Sequence, residues 1–202
     1  MQRRTLFPLA GLSLIGPFGS LITSKAKAVV CMPDSVSLNL QLPPRCRILI
    51  IGSGAAGLTA AVMAAEAGIK DIVVLEKEPI VGGSSMISGG QWAVSETELQ
   101  RRNGILDTDS IFYADMLRIG KNRNDPQLVK KLIQVSREQY NWVLEHGVAP
   151  LALSAASGMS RPRAHTFDAV AVMNLLLRMA ARHNIPIITG ARATELLMSN
   201  GT

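Results

Sequence analysis

The chain has 202 residues and is 48% hydrophobic, which suits one globular domain around one core. Most of its net charge of +6 comes from four basic residues in the first 28 positions; residues 29–202 carry 17 basic and 15 acidic side chains. That balance, with only 4% aromatic residues, argues against a nucleic-acid partner, and two cysteines exclude a disulfide-rich scaffold or a four-cysteine zinc site, so no metal site is predicted.

Residues 1–28 have the features of an export signal. The pair Arg3-Arg4 precedes a mostly apolar stretch from Leu6 to Ile22, and Ala26-Lys27-Ala28 resembles a cleavage site. The stretch is shorter than the ~20 apolar residues that span a bilayer and is broken by prolines and glycines, so no stable membrane anchor is expected. The arginine pair favours a twin-arginine signal over an ordinary secretory one, and the expected location is the periplasm or another site outside the cytoplasm.

Residues 29–46 contain three prolines and no helical or strand period, which predicts a linker. Cys31 and Cys46 lie within it. Two free thiols are favoured because Cys46 stands where a buried strand is expected to begin, and a disulfide between the two cysteines stays open for an exported protein. No CxxCH motif for covalent haem attachment occurs in the chain.

The first folded segment predicts a dinucleotide site. Arg47 to Ile51 forms a strand expected to be buried on both faces, GSGAAG follows from Gly52 to Gly57, a helix runs from Ala55 to Ala67, and the strand Ile72 to Leu75 ends at Glu76. In such a motif the first glycine makes the tight turn, the second lets the backbone approach a pyrophosphate, and the third lets helix and strand pack closely. The helix amino terminus would hold the pyrophosphate, and the acid would accept from ribose hydroxyls.

The next segment favours a flavin over a nicotinamide cofactor. A nicotinamide-binding domain would return to a helix and a strand, whereas this chain has Gly82-Gly83-Ser84-Ser85 and then Ser88-Gly89-Gly90. Such segments permit two close backbone approaches, to a phosphate and to a flat ring. A flexible surface loop is the alternative interpretation.

Further along, the sequence predicts two helices and two strands. One helix starts at Asp125-Pro126 and stops at Gly147, and its buried face is expected to hold Leu128, Leu132, Val135 and Val143. Asp168 to Asn184 forms the second helix, with four residues on its buried side: Val172, Leu175, Leu176 and Met179. Strands are expected at Pro186 to Thr189 and Arg192 to Leu197. Trp142, Met173 and Met179 are interpreted as core packing, and His146 and His183 as residues at helix ends rather than catalysts.

These motifs resemble the FAD-dependent family of soluble fumarate reductases, flavocytochrome c flavoproteins and succinate dehydrogenase flavoprotein subunits. The resemblance rests on GSGAAGLTAA, VVLEKEP, GGSSMISGG, Asn124-Asp125-Pro126 and Arg163-Ala164-His165, and it covers residues 47–197. It implies an α/β fold, a Rossmann-like FAD-binding domain of the glutathione-reductase type over residues 47–202. The domain would be the amino-terminal part only, with the capping domain and the remainder absent.

The resemblance also implies which residues bind FAD. Those expected at the pyrophosphate are Gly52, Gly54, Ala55, Ala56 and Gly57. Glu76, with Lys77 beside it, would hold the ribose, and Ala193 would contact the adenine. Those expected toward the flavin are Gly83, Ser84, Ser85, Gly89 and Gly90.

Two departures from the family pattern concern the flavin and substrate sides. Gln91-Trp92-Ala93 stands where relatives often have Asn-Ala, and Thr166-Phe167-Asp168 replaces a glycine-rich turn. Catalytic residues cannot be matched and are expected beyond residue 202; Arg163 with His165 is the one arguable pair, and a structural or flavin-side role is favoured for it.

The resemblance implies an exported reductase of an α,β-unsaturated carboxylate such as fumarate, with a separate electron-donor protein. The alternatives are a non-catalytic FAD-binding fragment and the first half of another FAD-dependent dehydrogenase, acting on steroids or amines.

Overall fold

A computed structural model describes residue 43 and residues 45–197. The predicted export signal and almost all of the predicted linker lie outside these residues. The described elements follow in the order β1 (Ile48–Ile51), α1 (Ala55–Glu66), β2 (Ile72–Leu75), α2 (Gly83–Met86), β3 (Gln91–Ala93), α3 (Glu98–Arg102), α4 (Asp109–Ile119), α5 (Pro126–Glu145), β4 (Ala152–Ser154), β5 (Ala164–Thr166), α6 (Ala169–Arg182) and β6 (Ile187–Ile188). Within the described part of the chain, no helix combines the length and apolarity needed to cross a bilayer.

A parallel sheet in the order β1-β2-β6 forms the base of the fold. Strand β2 reads Ile-Val-Val-Leu and is buried on both faces, as expected for the centre of a parallel sheet. Strand β1 was expected to be buried in the same way, and this prediction is wrong. Leu49 and Ile51 are 46% and 60% exposed, because they lie on one face of β1 that no described element covers, whereas Ile48 and Ile50 on the other face are half-buried.

Helices α1, α5 and α6 were predicted close to their observed bounds. Asp125 caps α5 by accepting from the backbone N–H groups of Gln127 and Leu128, and Asp168 caps α6 in the same way. In α6, Met173, Leu175, Leu176 and Met179 are buried, as predicted, whereas Val172 is half-buried.

The predicted buried face of α5 is partly wrong. Leu128 and Leu132 are 69% and 51% exposed, and the residues that face the core are instead Val129, Ile133, Ser136, Tyr140 and Val143. The helix is turned so that the Ser136 hydroxyl accepts from the Trp92 indole N–H at 2.6 Å and donates to the Ala93 carbonyl at 3.2 Å. Val129 and Ile133, one position after each leucine, therefore take the place of Leu128 and Leu132, while Val143 is buried as predicted and Val135 is half-buried.

A second sheet, antiparallel and in the order β3-β5-β4, was not predicted. Its three-residue strands bring Trp92 opposite His165, and Leu153 opposite His165 on the other side. The predicted strand from Arg192 to Leu197 is wrong. These residues form no strand and are all exposed, because no partner strand lies beside them in the described chain.

Candidate functional site

The loop after β1 has the geometry of a phosphate-binding turn. Gly52 has φ +102°, a conformation that favours glycine, and its N–H donates to the Leu75 carbonyl at 2.7 Å. A Cβ atom on Gly57 would overlap the Gly52 carbonyl oxygen and approach the Ile50 side chain at 3.2 Å. Gly52 and Gly57 are thus required by the fold of the chain itself.

Gly54 differs, because nothing in the chain requires a glycine there. Its φ of −70° and ψ of 179° are accessible to any residue, and an added Cβ would lie 3.5 Å from the Ser85 Oγ, an ordinary contact distance. A glycine at this position leaves the backbone open to an external group, which is the role of the second glycine in a dinucleotide motif. The loop therefore fits a pyrophosphate on its outer side.

The amino terminus of α1 offers donors to such an anion. The Ala55 N–H donates to the Ser85 Oγ at 3.0 Å. The N–H groups of Ala56 and Gly57 have no acceptor within residues 45–197. Unpaired N–H groups at the positive end of a helix dipole bind phosphate well, so these two groups are suited to the cofactor.

Glu76 is fixed as an ionised acceptor beside this loop. Its Oε2 accepts from the backbone N–H of Ser53 at 2.9 Å and from the Ser53 hydroxyl at 2.6 Å, and its Oε1 accepts from the Glu78 N–H at 3.0 Å. Burial alone would raise the pKa of Glu76, but the hydrogen bonds from Glu78 and Ser53 outweigh it and lower that pKa. A carboxylate has about four acceptor directions, so about one remains for a ribose hydroxyl.

Ser53 was not predicted as part of the site, yet it connects Glu76 with the glycine-serine segment that begins at Gly82. The Ser53 Oγ donates to Glu76 and accepts from the Gly82 N–H at 3.1 Å. With the Ser85 contact to Ala55, this places the first glycine-serine segment directly on the loop. The carboxyl ends of β1 and β2 are neighbours in a parallel sheet, which is the signal that could have identified Ser53 beforehand.

The second glycine segment reaches a cavity of about 410 Å³ between the start of α1, the serines and α6. Gly90 has φ +67°, a Cβ there would overlap the Phe167 carbonyl, and its own carbonyl accepts from the Phe167 N–H at 2.9 Å. Ala55, Ser84, Ser85 and Gly90 line this cavity, together with Trp92 and Phe167, which the sequence did not assign to the cofactor.

The remaining predicted contacts lie apart from the cavity. Gly83 and Gly89 are exposed, and neither lines it. The Lys77 side chain is exposed and lies 3.6 Å from the Glu78 carboxylate. Ala193 is exposed beyond β6. The structure therefore brings the glycine loop, Glu76 and the serine segment into contact and does not bring these four residues to the cavity. All of the cofactor contacts stay predictions.

Arg163 and His165 are fully buried structural residues. The Arg163 guanidinium binds Asp107 through two hydrogen bonds of 2.9 and 2.8 Å and Asp115 through one of 2.6 Å. The His165 Nε2 lies 2.9 Å from the Thr97 Oγ1, and its Nδ1 lies 2.9 Å from the Arg163 carbonyl. Burial lowers the pKa of His165. The two aspartates, 56 and 48 residues away from Arg163, could not be placed beside it from sequence.

The FAD binding domain family matches residues 47–202. The chain belongs to this family. The cofactor is FAD, and the glycine loop, the serines and the fixed Glu76 described above fit it. The family consists of FAD-dependent oxidoreductases, and the predicted fold class is confirmed.

Curated relatives and a solved structure give the same assignment. Over 162 residues the chain is 30% identical to the NADH:fumarate oxidoreductase of Klebsiella pneumoniae, with 78% of this chain and 17% of the relative covered. Over 155 residues it is 31% identical to the fumarate reductase (cytochrome) of Shewanella frigidimarina, covering 74% and 27%. The open conformation of a flavocytochrome c3 fumarate reductase matches with a TM-score of 0.73 at 26% identity, over 77% of this chain and 28% of that one.

Other relatives bear different substrates in their names. The urocanate reductase of Eggerthella lenta is 35% identical over 123 residues, 61% of this chain and 19% of the relative. The 3-oxosteroid 1-dehydrogenase of Mycobacterium tuberculosis is 33% identical over 113 residues, 56% of this chain and 20% of the relative. The chain thus spans between about a sixth and just over a quarter of the length of these proteins.

Proposed function

We propose that this chain is the amino-terminal, FAD-binding part of an exported reductase that acts on an α,β-unsaturated carboxylate such as fumarate. One observation carries the proposal. Neither the backbone conformation nor the packing of the described residues requires a glycine at position 54. Gly54 lies beside the free N–H groups of α1 and the Ser85 hydroxyl. An external phosphate accounts for that glycine, and FAD supplies one.

In this proposal the chain's residues bind and orient the cofactor. FAD supplies the hydride that reduces the substrate double bond. The N–H groups of Ala56 and Gly57 bind the pyrophosphate, Glu76 accepts from the ribose, and the cavity beside Ser84 and Gly90 takes the ring. The groups that clamp the substrate and supply its proton are expected in further polypeptide.

The proposed substrate class follows from the names of the relatives. Fumarate and urocanate both carry a carbon–carbon double bond conjugated to a carboxylate, and these names belong to relatives at 30% to 35% identity. A separate electron-donor protein is part of the proposal. Export rests on the Arg3-Arg4 pair and the apolar stretch after it.

A steroid dehydrogenase is the second candidate, because one relative at 33% identity is a 3-oxosteroid 1-dehydrogenase. Both reactions exchange hydrogen at a carbon–carbon bond conjugated to a carbonyl group. A non-catalytic FAD-binding fragment is the third candidate. The DNA after the Thr202 codon separates it from the others: an open or displaced continuation that encodes a substrate domain supports an enzyme.

The direct test uses the 202-residue chain, FAD and a chemically reduced dye as electron donor. We expect FAD to remain with the chain through gel filtration, and we expect no oxidation of the dye above the free-flavin rate with fumarate or urocanate. Failure to bind FAD contradicts the proposal. Turnover by this chain alone contradicts the part that places the substrate groups elsewhere. The same assay with a 3-oxosteroid and an oxidised dye tests the second candidate on any longer polypeptide.

A further inference from the structure

Four rings form a cluster behind the cofactor cavity. The ring centroids of Trp92 and Phe167 are 5.8 Å apart, and Tyr140 lies 6.3 Å from Trp92 and 5.8 Å from Phe167. The His165 ring lies 4.9 Å from that of Tyr140. Edge and tilted contacts of this kind stabilise the relative orientation of the rings beyond simple burial.

Trp92 and Phe167 are the members of this cluster that reach the cavity. They line it together with Val172 and Met173, and Ser84 and Ser85 line the same cavity. The lining therefore combines aromatic and apolar side chains with serine residues. A flat ring system with a polar edge, such as the flavin ring, matches that combination.

The orientation of Trp92 is fixed from several directions. Its indole N–H donates to the Ser136 Oγ at 2.6 Å. Its backbone pairs with His165, a residue with no exposed surface. The Phe167 N–H donates to the Gly90 carbonyl at 2.9 Å, which fixes the Phe167 backbone beside the glycine segment, and the Phe167 side chain is buried. A side chain whose rotamer is fixed in this way can orient a ligand, because the side chain does not rearrange when the ligand binds.

We propose that Trp92 positions the flavin ring and that Phe167 holds the Trp92 indole in place. The inference rests on the proposed function, because it needs FAD in the cavity. It also explains the two departures from the family pattern, Gln91-Trp92-Ala93 and Thr166-Phe167-Asp168. They lie 75 positions apart in the chain, from Trp92 to Phe167, and meet on one wall of one cavity.

The chain supplies its own control. It contains two tryptophans, and the other, Trp142, lies outside this cavity, with its ring 4.1 Å from His146 and its indole N–H 3.2 Å from the Glu66 carboxylate. The experiment compares the 202-residue chain with its Trp92→Leu, Trp92→Phe and Trp142→Leu variants. FAD affinity, the fluorescence yield of the bound flavin and the circular dichroism of each protein are measured.

An indole in contact with a flavin quenches flavin fluorescence, whereas a phenyl ring does so weakly. We expect Trp92→Leu to weaken FAD binding about two- to tenfold and to brighten the bound flavin. Trp92→Phe should keep most of the affinity but brighten the flavin equally, and Trp142→Leu should change neither quantity. If Trp92→Leu fails to fold, the fluorescence of FAD bound to Trp92→Phe still tests whether the Trp92 indole contacts the flavin.

Bound flavin that is equally bright in the wild-type chain and in both Trp92 variants overturns the inference while leaving the proposed function intact. Absence of FAD binding in the wild-type chain overturns both. Equal brightening in Trp142→Leu would also overturn it, since quenching would then not report on this cavity.

Discussion

Substitution of alanine at two glycines of the same loop should separate cofactor binding from folding. At Gly54 an added Cβ lies at ordinary distance from the Ser85 Oγ, and the backbone conformation suits any residue. We therefore expect Gly54→Ala to leave stability unchanged or raise it by up to ~0.4–1 kcal/mol, since alanine restricts the unfolded chain more than glycine does. At Gly57 the Cβ overlaps the Gly52 carbonyl, so Gly57→Ala should cost at least ~1–3 kcal/mol.

Although it leaves the fold intact, Gly54→Ala should weaken the binding of FAD. The methyl group of Gly54→Ala stands where a phosphate would approach, and losing one hydrogen bond to a charged group costs ~1.5–3 kcal/mol, which raises the dissociation constant of FAD about ten- to a hundredfold. Thermal unfolding followed by circular dichroism gives the stability of each variant, with a shift of about 2–4 °C per kcal/mol, and FAD titration by calorimetry gives the affinity. Unchanged affinity in Gly54→Ala, or a loss of stability equal to that of Gly57→Ala, would refute the reasoning.

Three further predictions concern the buried ion pairs, the buried histidine and the export signal. Arg163→Met should lower the free energy of unfolding by ~3–5 kcal/mol in a urea titration, because it leaves two aspartates facing an uncharged side chain, whereas Arg101→Met at an exposed pair should cost less than ~1 kcal/mol. Burial lowers the pKa of His165, so the unfolded chain takes up the proton first; the free energy of unfolding should decline below about pH 6.5, and less so in His165→Gln. Arg3→Lys with Arg4→Lys should hold the precursor in the cytoplasm of a twin-arginine host, and normal cleavage would contradict that route.

The parts of the fold that sequence predicted are those set by local pattern. The unit from β1 to β2 was predicted almost to the residue, because a β-branched run, a glycine turn and an alanine-rich helix each act over a few positions. The caps at Asp125 and Asp168 are local in the same sense. The family resemblance added FAD, and the domain match confirms it.

What sequence missed depends on contacts between distant residues. The buried face of α5 includes Ser136, whose hydroxyl accepts a hydrogen bond from the indole N–H of Trp92, a residue 44 positions earlier in the chain. Leu128 and Leu132 were the more apolar choice and are exposed. The hydrogen bond from Ser53 to Glu76 joins residues 23 positions apart. The antiparallel sheet consists of three-residue strands, which are too short to show a hydrophobic period in the sequence.

The central claim is that this chain binds FAD through the loop after β1 and the carboxylate of Glu76. Titration of FAD into the wild-type chain, Glu76→Gln and the control Glu78→Gln tests it most directly, since Glu78 is exposed and only its backbone N–H contacts Glu76. We expect Glu76→Gln to raise the dissociation constant about ten- to a hundredfold and Glu78→Gln to leave it unchanged. Equal affinity in all three proteins would contradict the claim.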